Sequence, residues 1–263
     1  MSVYRKDEPK KLEEALESLY AQNMLVDIFV QLDGPVSPKI VEFLQKEKME
    51  ERIAYLGERK ENRGLAISLN ELLEEVLKRK YEYIARMDAD DISMPDRFKK
   101  QHTFMQEHPD VDVVGGAIEE FSDNGDYCKI VRYPLEHRQM FDFFKKRVPL
   151  AHVTAFFRHT FFEKAGLYPV ESPTNEDTLM WLNGFRNGCR FANIPEVAVR
   201  VRVSPEFFRR RGGVGKAWSD FCDRVKVIRA LGYNFDAYFY AAALFFVNIS
   251  PAAVKKYLYK RLR

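Results

Sequence analysis

The N-terminal third of the chain alternates between helical spacing of apolar residues and short apolar runs typical of strands. Helical spacing begins at Pro9, at Ser37 and at Leu65, and the intervening runs end in turn signals or acidic residues. A parallel pair of strands needs a long crossover, usually a helix. The alternation therefore predicts an α/β fold with right-handed crossovers. The predicted helices are residues 9–20, 37–48 and 65–77, and the predicted strands are 25–32, 52–56 and 81–87.

The remainder of the chain is less regular. A turn at Asp123-Asn124-Gly125 predicts a hairpin. The predicted strands are residues 111–121, 127–133, 152–157 and 197–203, and the predicted helices are 177–187 and 216–231. We expect a Rossmann-like α/β domain over residues 1–215, with a mixed, mainly parallel central sheet flanked by helices. Residues 216–263 are expected to form a helical C-terminal extension.

Charge is distributed unevenly along this 263-residue chain, whose formal net charge is +3. From Arg200 to the end there are 14 Lys and Arg residues against 4 Asp and Glu residues, which leaves the first 199 residues mildly acidic. The basic part indicates an anionic partner such as phosphates, nucleic acid or a membrane. In the tail, Val254, Tyr257 and Leu258 interleave with lysines and arginines. This pattern suits an anionic bilayer surface or a solvated terminal helix, and no motif supports nucleic acid.

Cysteines and apolar stretches bear on the compartment. The three cysteines form no C-x-x-C pair, so neither a disulfide framework nor a zinc site is predicted. The charged start lacks the apolar core of a signal peptide. The longest apolar stretch, residues 237–247, is shorter than the ~20 residues that cross a bilayer. We expect a cytoplasmic protein, peripheral at the inner face of the membrane where the tail binds lipid.

Three carboxylates stand within four residues at Asp88-Ala89-Asp90-Asp91, directly after the predicted strand 81–87. Ligands of open α/β sheets bind at the carboxyl ends of strands, where both this cluster and Asp33 fall. Such carboxylates repel one another unless a cation lies among them, and Mg²⁺ or Mn²⁺ prefers a few carboxylates together with phosphate oxygens. The alternative is a solvated acidic turn before a helix that begins near Pro95. The strand end favours the functional interpretation.

Asn175-Glu176-Asp177 precedes another predicted helix. Acidic residues at a helix start complement the helix dipole, so a structural cap explains them. A capping turn also places a carboxylate rigidly, as a general base for an acceptor hydroxyl requires. Both interpretations can hold together.

Five segments occur in the order found in family 2 glycosyltransferases of the GT-A fold: MSVYRKD, QLDGP, ENRGLAISLN, ARMDADDISMPDRF and NEDTLMW. The sequence resembles this family over residues 1–215, with a donor half at about 1–121 and an acceptor half at about 122–215. The resemblance implies an inverting transfer from a nucleotide-diphosphate sugar, with Mn²⁺ or Mg²⁺ as cofactor. It further implies a UDP-hexose donor and a glycan or lipid-linked saccharide acceptor, in bacterial synthesis of O-antigen, capsule or lipopolysaccharide.

The same resemblance implies a set of donor-binding residues: Tyr4, Asp33, Arg63, Asp88, Asp90, Arg210 and Arg211. Tyr4 and Asp33 would contact the nucleobase. Asp88 would meet the ribose, and Asp90, helped by Asp91, would hold the metal bound to the diphosphate. The two arginines precede a pair of glycines and resemble the family's mobile loop over the diphosphate, although an arginine run is usually a solvated surface.

In the acceptor half, Asp177 resembles the catalytic base, and Glu176 would support it or meet the acceptor. His152 matches a histidine common in the family, but Val153 stands where the family often has proline. A buried core histidine is an equal alternative. Trp181 is a further candidate for the acceptor site. A metal-stabilised leaving group opposite a single base gives one displacement, hence inversion.

Two other classes compete with a glycosyltransferase. A sugar-nucleotide pyrophosphorylase, which shares a related fold, needs a glycine-rich N-terminal loop to bind a triphosphate, and the first glycine here is Gly34. A non-catalytic nucleotide-sugar-binding module has no need of the Glu176-Asp177 pair. Both alternatives are therefore disfavoured.

Overall fold

The computed structural model describes residues 1–172, 175–203 and 213–250. The strands of this part are β1 Ser2–Val3, β2 Phe29–Leu32, β3 Tyr55–Glu58, β4 Tyr83–Ala85, β5 Ile92–Ser93, β6 Val113–Phe121, β7 Cys128–Val131, β8 Phe156–Arg158 and β9 Phe191–Arg202. The α-helices are α1 Pro9–Tyr20, α2 Pro38–Met49, α3 Leu65–Lys78, α4 Arg97–Glu107, α5 His137–Phe144, α6 Thr160–Ala165, α7 Glu176–Arg186, α8 Val214–Ala230 and α9 Asp236–Ile249. The predictions for Arg210, Arg211 and the basic tail lie outside the described residues.

Two sheets form the framework. β1, β2 and β3 make a parallel sheet in that order, with α1 and α2 as crossovers. The second sheet has the order β4-β8-β6-β9-β5, with β7 paired to the end of β6. Its long central pair, β6 and β9, is parallel, and its other pairs are antiparallel. The predicted α/β class with a mixed sheet and a helical C-terminal part is confirmed. The sheet is not mainly parallel as predicted, because among the described strands only β1–β3 and the β6–β9 pair run parallel.

The N-terminal helices form where the apolar pattern predicts them. Pro9 takes the first position of α1, where its missing N–H leaves no intrahelical bond unmade. The buried face of α1 repeats at helical spacing: Leu12, Ala15, Leu16 and Leu19. α2 and α3 agree with their predicted bounds to within one residue. β2 is shorter than predicted and β3 begins later, because strand bounds depend on where the neighbouring strand pairs.

A buried polar pair on α4 joins the end of β4 to the segment before β8. Arg97 is 1% exposed and donates hydrogen bonds to the carbonyl oxygens of Arg86 (2.9 Å) and Val153 (3.0 Å). Gln101 accepts a bond from Arg97 (3.0 Å) and donates one to the carbonyl of Thr154 (2.8 Å). Burial lowers the pKa of Arg97 to about 9, so its guanidinium stays charged at neutral pH.

The structure corrects the prediction for residues 152–157. Instead of one strand, this segment is a 3-10 turn at His152–Thr154 followed by β8. The turn uses its backbone groups locally, with the N–H of Ala155 bonded to the carbonyl of His152 (3.1 Å). α5 and α6 lie in segments without a predicted element, because helices of about two turns barely display a period. α9 was predicted only as an apolar stretch, since it is apolar on nearly all sides.

The C-terminal helices extend the domain. α8 packs against α7, and Val227 is buried in the same aromatic core as Trp181. α9 packs on α8 through a small core of its own: Ile228, Ala237 and Ala241. In the part of the chain that the structure describes, no helix has the length and apolar character needed to span a bilayer. The predicted boundary between residues 215 and 216 stays a prediction.

Candidate active site

The residues predicted to bind the donor follow three strands. Tyr4 comes after β1, Asp33 after β2 and Asp88 after β4. β1 and β2 are parallel, and the backbone N–H of Asp33 donates to the carbonyl of Val3 (2.7 Å), so the first two residues share one edge. The backbone N–H of Tyr4 donates to the carboxylate of Asp7 (2.8 Å), which turns the chain toward α1. This carboxyl edge is where an open α/β sheet binds ligands.

The carboxylate of Asp33 organises the loop after β3. It is 3% exposed and accepts hydrogen bonds from the side-chain amide of Asn62 (2.9 Å) and from the backbone N–H groups of Arg63 (2.8 Å) and Gly64 (3.0 Å). The guanidinium of Arg59 forms an ion pair with the same carboxylate. The loop is therefore ordered by a group on the neighbouring strand.

Glycine at two positions permits this geometry. Gly34 has φ of +80°, and a Cβ there would lie 2.5 Å from the backbone nitrogen of Asn62. Gly64 has φ of +94° directly before α3. The nucleobase contact predicted for Asp33 and the donor contact predicted for Arg63 stay predictions. The structure adds that Asp33 places the backbone of Arg63 at the edge.

The three aspartates after β4 have different surroundings. Asp88 is partly exposed and forms an ion pair with Arg86. Asp91 is 3% exposed, and its Oδ1 accepts the backbone N–H of Arg202 (2.8 Å). The backbone carbonyl of Asp90 accepts a bond from Arg202 Nε (2.9 Å). Burial, with the charges of Asp88 and Asp90, raises the pKa of Asp91.

Arg202 fixes this acidic turn to the rest of the molecule. It lies at the end of β9, and its guanidinium pairs with Glu14 of α1 (2.6 Å) and with Asp123 of the β6–β7 turn. The guanidinium also lies over the ring of Phe121, 5.0 Å from the ring centroid. Three distant parts of the chain therefore determine the position of the aspartates.

A buried arginine lies between the acidic turn and the predicted acceptor half. Arg86 is 6% exposed, and its backbone N–H donates to the carbonyl of Ala155 (2.9 Å). Burial, and secondly the charge of Arg86, lower the pKa of His152 well below its usual value, so this histidine is neutral. His152 Nε2 shares a hydrogen bond with the hydroxyl of Tyr168 (2.8 Å), and burial raises the pKa of that hydroxyl.

The structure corrects the prediction for Trp181. This side chain has no exposed area, and its ring lies edge-on to His152 with 6.0 Å between ring centroids. An indole without exposed surface does not contact an acceptor, so Trp181 supports His152 from within the core. It lies one helical turn beyond Asp177 on α7, where that helix has entered the core.

Glu176 and Asp177 occupy the first turn of α7, as predicted. Asp177 Oδ1 accepts the backbone N–H of Thr178 (2.6 Å). Burial, followed by the negative charge of Asp177, raises the pKa of Glu176 to about 7. The charges of Arg86 and Asp88 also act on Glu176, in opposite directions. The ring of Trp181 on α7 lies 6.0 Å from that of His152, and Arg86 bonds to Ala155 of the same segment, so α7 begins near the end of β4.

The turn before α7 is anchored by α8. Asp223 is 3% exposed and accepts hydrogen bonds from the hydroxyl of Ser172 (2.6 Å) and the side-chain amide of Asn175 (2.9 Å). Burial by itself would raise the pKa of Asp223, but these bonds and the bond from Lys226 outweigh it and lower the pKa. The C-terminal helix α8 is therefore part of what positions the carboxylate pair.

The carboxylates of the acidic turn suit a divalent ion that is also bound by the phosphates of a nucleotide. Among residues 1–172, 175–203 and 213–250, no three Asp, Glu, His or Cys side chains converge on a metal site made by protein alone. Mg²⁺ in nucleotide enzymes is usually bound by one or two carboxylates together with substrate phosphates, so three converging ligands are not required. A cation held by Asp90 would offset part of the negative charge that contributes to the raised pKa of Asp91.

Four residues that shape the site were not predicted from the sequence: Arg86, Tyr168, Arg202 and Asp223. Arg86 leaves a signal in the sequence, a charged residue within the apolar run 81–87. The other three leave none, because they reach the site from elements far away in the chain.

We expect Glu176→Gln to stabilise the protein at pH 8 but little at pH 5. The folded pKa of about 7 lies above the ordinary 4.5, so the folded state binds more protons between these values. The destabilisation by a buried carboxylate is therefore absent below pH 4.5 and complete once the pH passes 7. A shift of this size corresponds to at most about 3 kcal/mol in the free energy of unfolding, measured by urea denaturation.

The exposed Glu42 of α2 provides the matched control. Glu42→Gln is expected to change stability equally at both pH values. A Glu176→Gln variant whose stability relative to the parent does not depend on pH would contradict the assigned pKa.

The fold and this arrangement of an acidic strand end beside a carboxylate pair define the GT-A class of glycosyltransferases. The chain belongs to glycosyltransferase family 2, since the family model described as glycosyl transferase family 2 matches residues 1–166.

Relatives match most of the chain. It is 35% identical over 223 residues to an uncharacterized glycosyltransferase of Haemophilus influenzae, covering 84% of this chain and 81% of that protein. It is 30% identical over 269 residues to the amylovoran biosynthesis glycosyltransferase AmsE of Erwinia amylovora, covering 100% and 97%. It is 29% identical over 265 residues to the UDP-Gal:alpha-D-GlcNAc-diphosphoundecaprenol beta-1,3-galactosyltransferase of Escherichia coli, covering 100% and 94%.

Solved structures share the fold. The mannosyltransferase PcManGT from Pyrobaculum calidifontis, in complex with GDP-Man and Mn²⁺, superposes with a TM-score of 0.62 at 18% identity, covering 99% of this chain and 79% of that one. TarS from S. aureus, in complex with UDP-GlcNAc, gives a TM-score of 0.59 at 15% identity, covering 96% and 82%. At these identities the likeness concerns the fold, and it confirms the predicted GT-A architecture.

Proposed function

We propose that the protein is an inverting hexosyltransferase that moves a sugar from a UDP-hexose to a glycan or lipid-linked saccharide in bacterial surface-polysaccharide synthesis. The observation that carries this proposal is the juxtaposition of the acidic turn after β4 with the Glu176-Asp177 pair of α7, which act on each other electrostatically. One group of carboxylates can serve the leaving diphosphate, and the other can activate the acceptor.

The donor occupies the carboxyl edge of β1, β2 and β4. Tyr4 and Asp33 contact the nucleobase, with Arg63 beside them on the loop that Asp33 orders. Asp88 meets the ribose. Two structural neighbours support a nucleotide-sugar donor, since they are complexes with UDP-GlcNAc and GDP-Man, and the name of the E. coli relative specifies UDP-Gal.

Asp90 is the proposed ligand of Mn²⁺ or Mg²⁺. The ion, when bound, neutralises charge that develops on the departing nucleoside diphosphate. Asp91 is buried against the backbone of Arg202, so we assign it the support of the turn in place of direct ligation. Arg210 and Arg211 are proposed to face the same diphosphate.

Asp177 is the proposed general base. An acceptor hydroxyl is a poor nucleophile until a carboxylate takes its proton. Glu176, with a pKa of about 7, is partly protonated near neutral pH and can donate a hydrogen bond to an acceptor oxygen. Neutral His152, held by Tyr168, supplies a further polar contact. One base opposite one leaving group gives a single displacement with inversion.

The names of two relatives support the proposed acceptor and location. The name of the E. coli galactosyltransferase describes a GlcNAc-diphosphoundecaprenol acceptor, and that of AmsE describes amylovoran biosynthesis. These names support a lipid-linked saccharide as acceptor, and hence a cytoplasmic protein peripheral at the inner face of the membrane. The basic tail at residues 251–263 supports binding to anionic lipid.

A donor panel tests the proposal. UDP-Gal, UDP-Glc, UDP-GlcNAc and GDP-Man are each incubated with a GlcNAc-diphosphate-lipid acceptor and Mn²⁺, and nucleoside diphosphate release is followed. We expect acceptor-dependent release of UDP from one UDP-hexose. The anomeric configuration of the product, determined by NMR, should be inverted relative to the donor. Retention of configuration, or release of pyrophosphate from a nucleoside triphosphate and a sugar phosphate, would overturn it.

We expect Asp90→Asn to lower turnover about 100-fold, because loss of a metal-ligand charge weakens stabilisation of the leaving group by several kcal/mol. Chelation of divalent ions in the parent protein should have a similar effect, reversed by added Mn²⁺. The control Asp110→Asn alters an exposed aspartate paired with Arg190 and should leave turnover unchanged. Full activity of Asp90→Asn at limiting Mn²⁺ would exclude Asp90 as the ligand.

A further inference from the structure

The helix α9 and the residue before it carry an exposed apolar stripe, formed by Phe235, Phe239, Phe246 and Ile249. Spacings of 4, 7 and 3 residues return to the same side of a helix, so these side chains share one face. They are 73%, 68%, 63% and 40% exposed, respectively. Exposed apolar patches of this kind mark interaction surfaces.

The stripe is not needed for packing within the described domain. α9 packs on α8 through a different side, where Ala237 and Ala241 are buried against Ile228. Trp218 of α8 enlarges the apolar surface, since it is 58% exposed and its ring lies 6.1 Å from that of Phe245. An amphipathic packing helix would be polar on its outer side, and α9 is apolar there as well.

Lysine side chains contact α9, and basic residues follow it in the sequence. Asp236, which is the one charged residue between 236 and 249, is paired with Lys145 (3.1 Å). Lys146 Nζ lies 4.7 Å from the centroid of the Tyr240 ring. In the sequence, residues 251–263 follow α9 directly and contain five Lys and Arg residues and no Asp or Glu. Aromatic and aliphatic side chains beside basic residues match the interface of an anionic bilayer.

We propose that α9, through this stripe, lies in the interface of an anionic phospholipid membrane. Its 14 residues span about 21 Å at 1.5 Å per residue, less than the ~30 Å hydrocarbon core, so the helix lies along the surface. The five basic residues between 251 and 263, with no acidic residue among them, favour anionic lipid over a second copy of the chain. This inference rests on the membrane location within the proposed function and names the surface responsible.

Co-sedimentation with vesicles tests the proposal, using the full chain without donor or metal. The parent protein should bind vesicles that contain phosphatidylglycerol, bind phosphatidylcholine vesicles weakly, and be released by salt. The double variant Phe239→Ser, Phe246→Ser should bind the anionic vesicles at least tenfold more weakly. The control pair Leu25→Ser, Met49→Ser alters side chains that are 99% and 78% exposed elsewhere, and should bind like the parent.

Each contrary result overturns the proposal. Parental binding by the Phe239/Phe246 variant, with an unchanged melting temperature, would exclude the stripe. Failure of the parent protein to bind anionic vesicles would exclude an anionic membrane as the partner of the stripe. A dimer of the parent that the variant fails to form would assign the stripe to a second copy. Sugar transfer to a water-soluble acceptor is measured in parallel. Vesicle binding without sugar transfer would contradict the proposed transferase activity. Sugar transfer without vesicle binding would contradict the proposal that α9 binds membranes.

Discussion

Asp177→Asn is expected to lower kcat by roughly 10²–10⁴-fold, the range that general-base catalysis contributes. Asparagine keeps the shape of the side chain, and its oxygen can still accept the backbone N–H of Thr178. It cannot take a proton from the acceptor hydroxyl at neutral pH. The defect should therefore appear in kcat at saturating donor, acceptor and Mn²⁺, while the affinity for the donor nucleotide stays near that of the parent.

The matched control is Asp142→Asn on α5, since Asp142 is also a helical aspartate but is exposed. It should retain parental kcat. Thermal unfolding distinguishes lost chemistry from lost structure, because Asp177→Asn should melt within a few degrees of the parent. Undiminished transfer by a folded Asp177→Asn protein would remove Asp177 as the base. A joint fall in donor affinity and melting temperature would instead assign it a structural role.

Arg97→Met is expected to lower the free energy of unfolding by about 3 kcal/mol or more. Methionine approximates the volume of the arginine stem but donates no hydrogen bonds. The carbonyl oxygens of Arg86 and Val153, which Arg97 bonds at 2.9 and 3.0 Å, would lose their donor in a buried region. Each buried polar group left without a partner costs about 1–3 kcal/mol. Urea denaturation measures the change.

The same substitution should also affect the site, because Arg97 joins the end of β4 to the segment that carries His152. We expect a lower kcat even where the variant is fully folded. Lys100→Met on the exposed side of α4 is the control for introducing methionine into this helix, and should change stability by less than 1 kcal/mol. If Arg97→Met lowered the free energy of unfolding no more than Lys100→Met does, the buried hydrogen bonds of Arg97 would contribute little to stability.

Much of the proposed donor-binding half could be predicted from the sequence. The bounds of α2 and α3 follow from apolar periodicity, and the position of Asp88 at a strand end follows from the run before it. These features depend on residues close together in the chain, whose side chains share a face because of helix and strand geometry. The first turn of α7 was predicted for the same reason, since acidic residues at a helix start are a local signal.

The surroundings of Asp91 within the aspartate cluster could not be predicted. The sequence predicts that Asp91 helps Asp90 to hold the metal, whereas the structure buries Asp91 against the backbone of Arg202, more than a hundred residues away along the chain. Trp181 was likewise predicted as a candidate for the acceptor site, but it lies in the core. Burial depends on what packs over a residue, which apolar spacing within one element does not specify.

The sequence by itself determined the α/β class, the family and the two carboxylate groups that the proposed chemistry needs. The tertiary structure alone decided that these groups lie within range of each other's charge, that Asp223 of α8 anchors the turn before Glu176, and that Arg86 acts on both His152 and Glu176. The physical reason is the distance along the chain over which each kind of interaction acts. Propensity, capping and periodicity act between near neighbours in the chain, whereas desolvation and charge coupling depend on distances in space that only the packed fold sets.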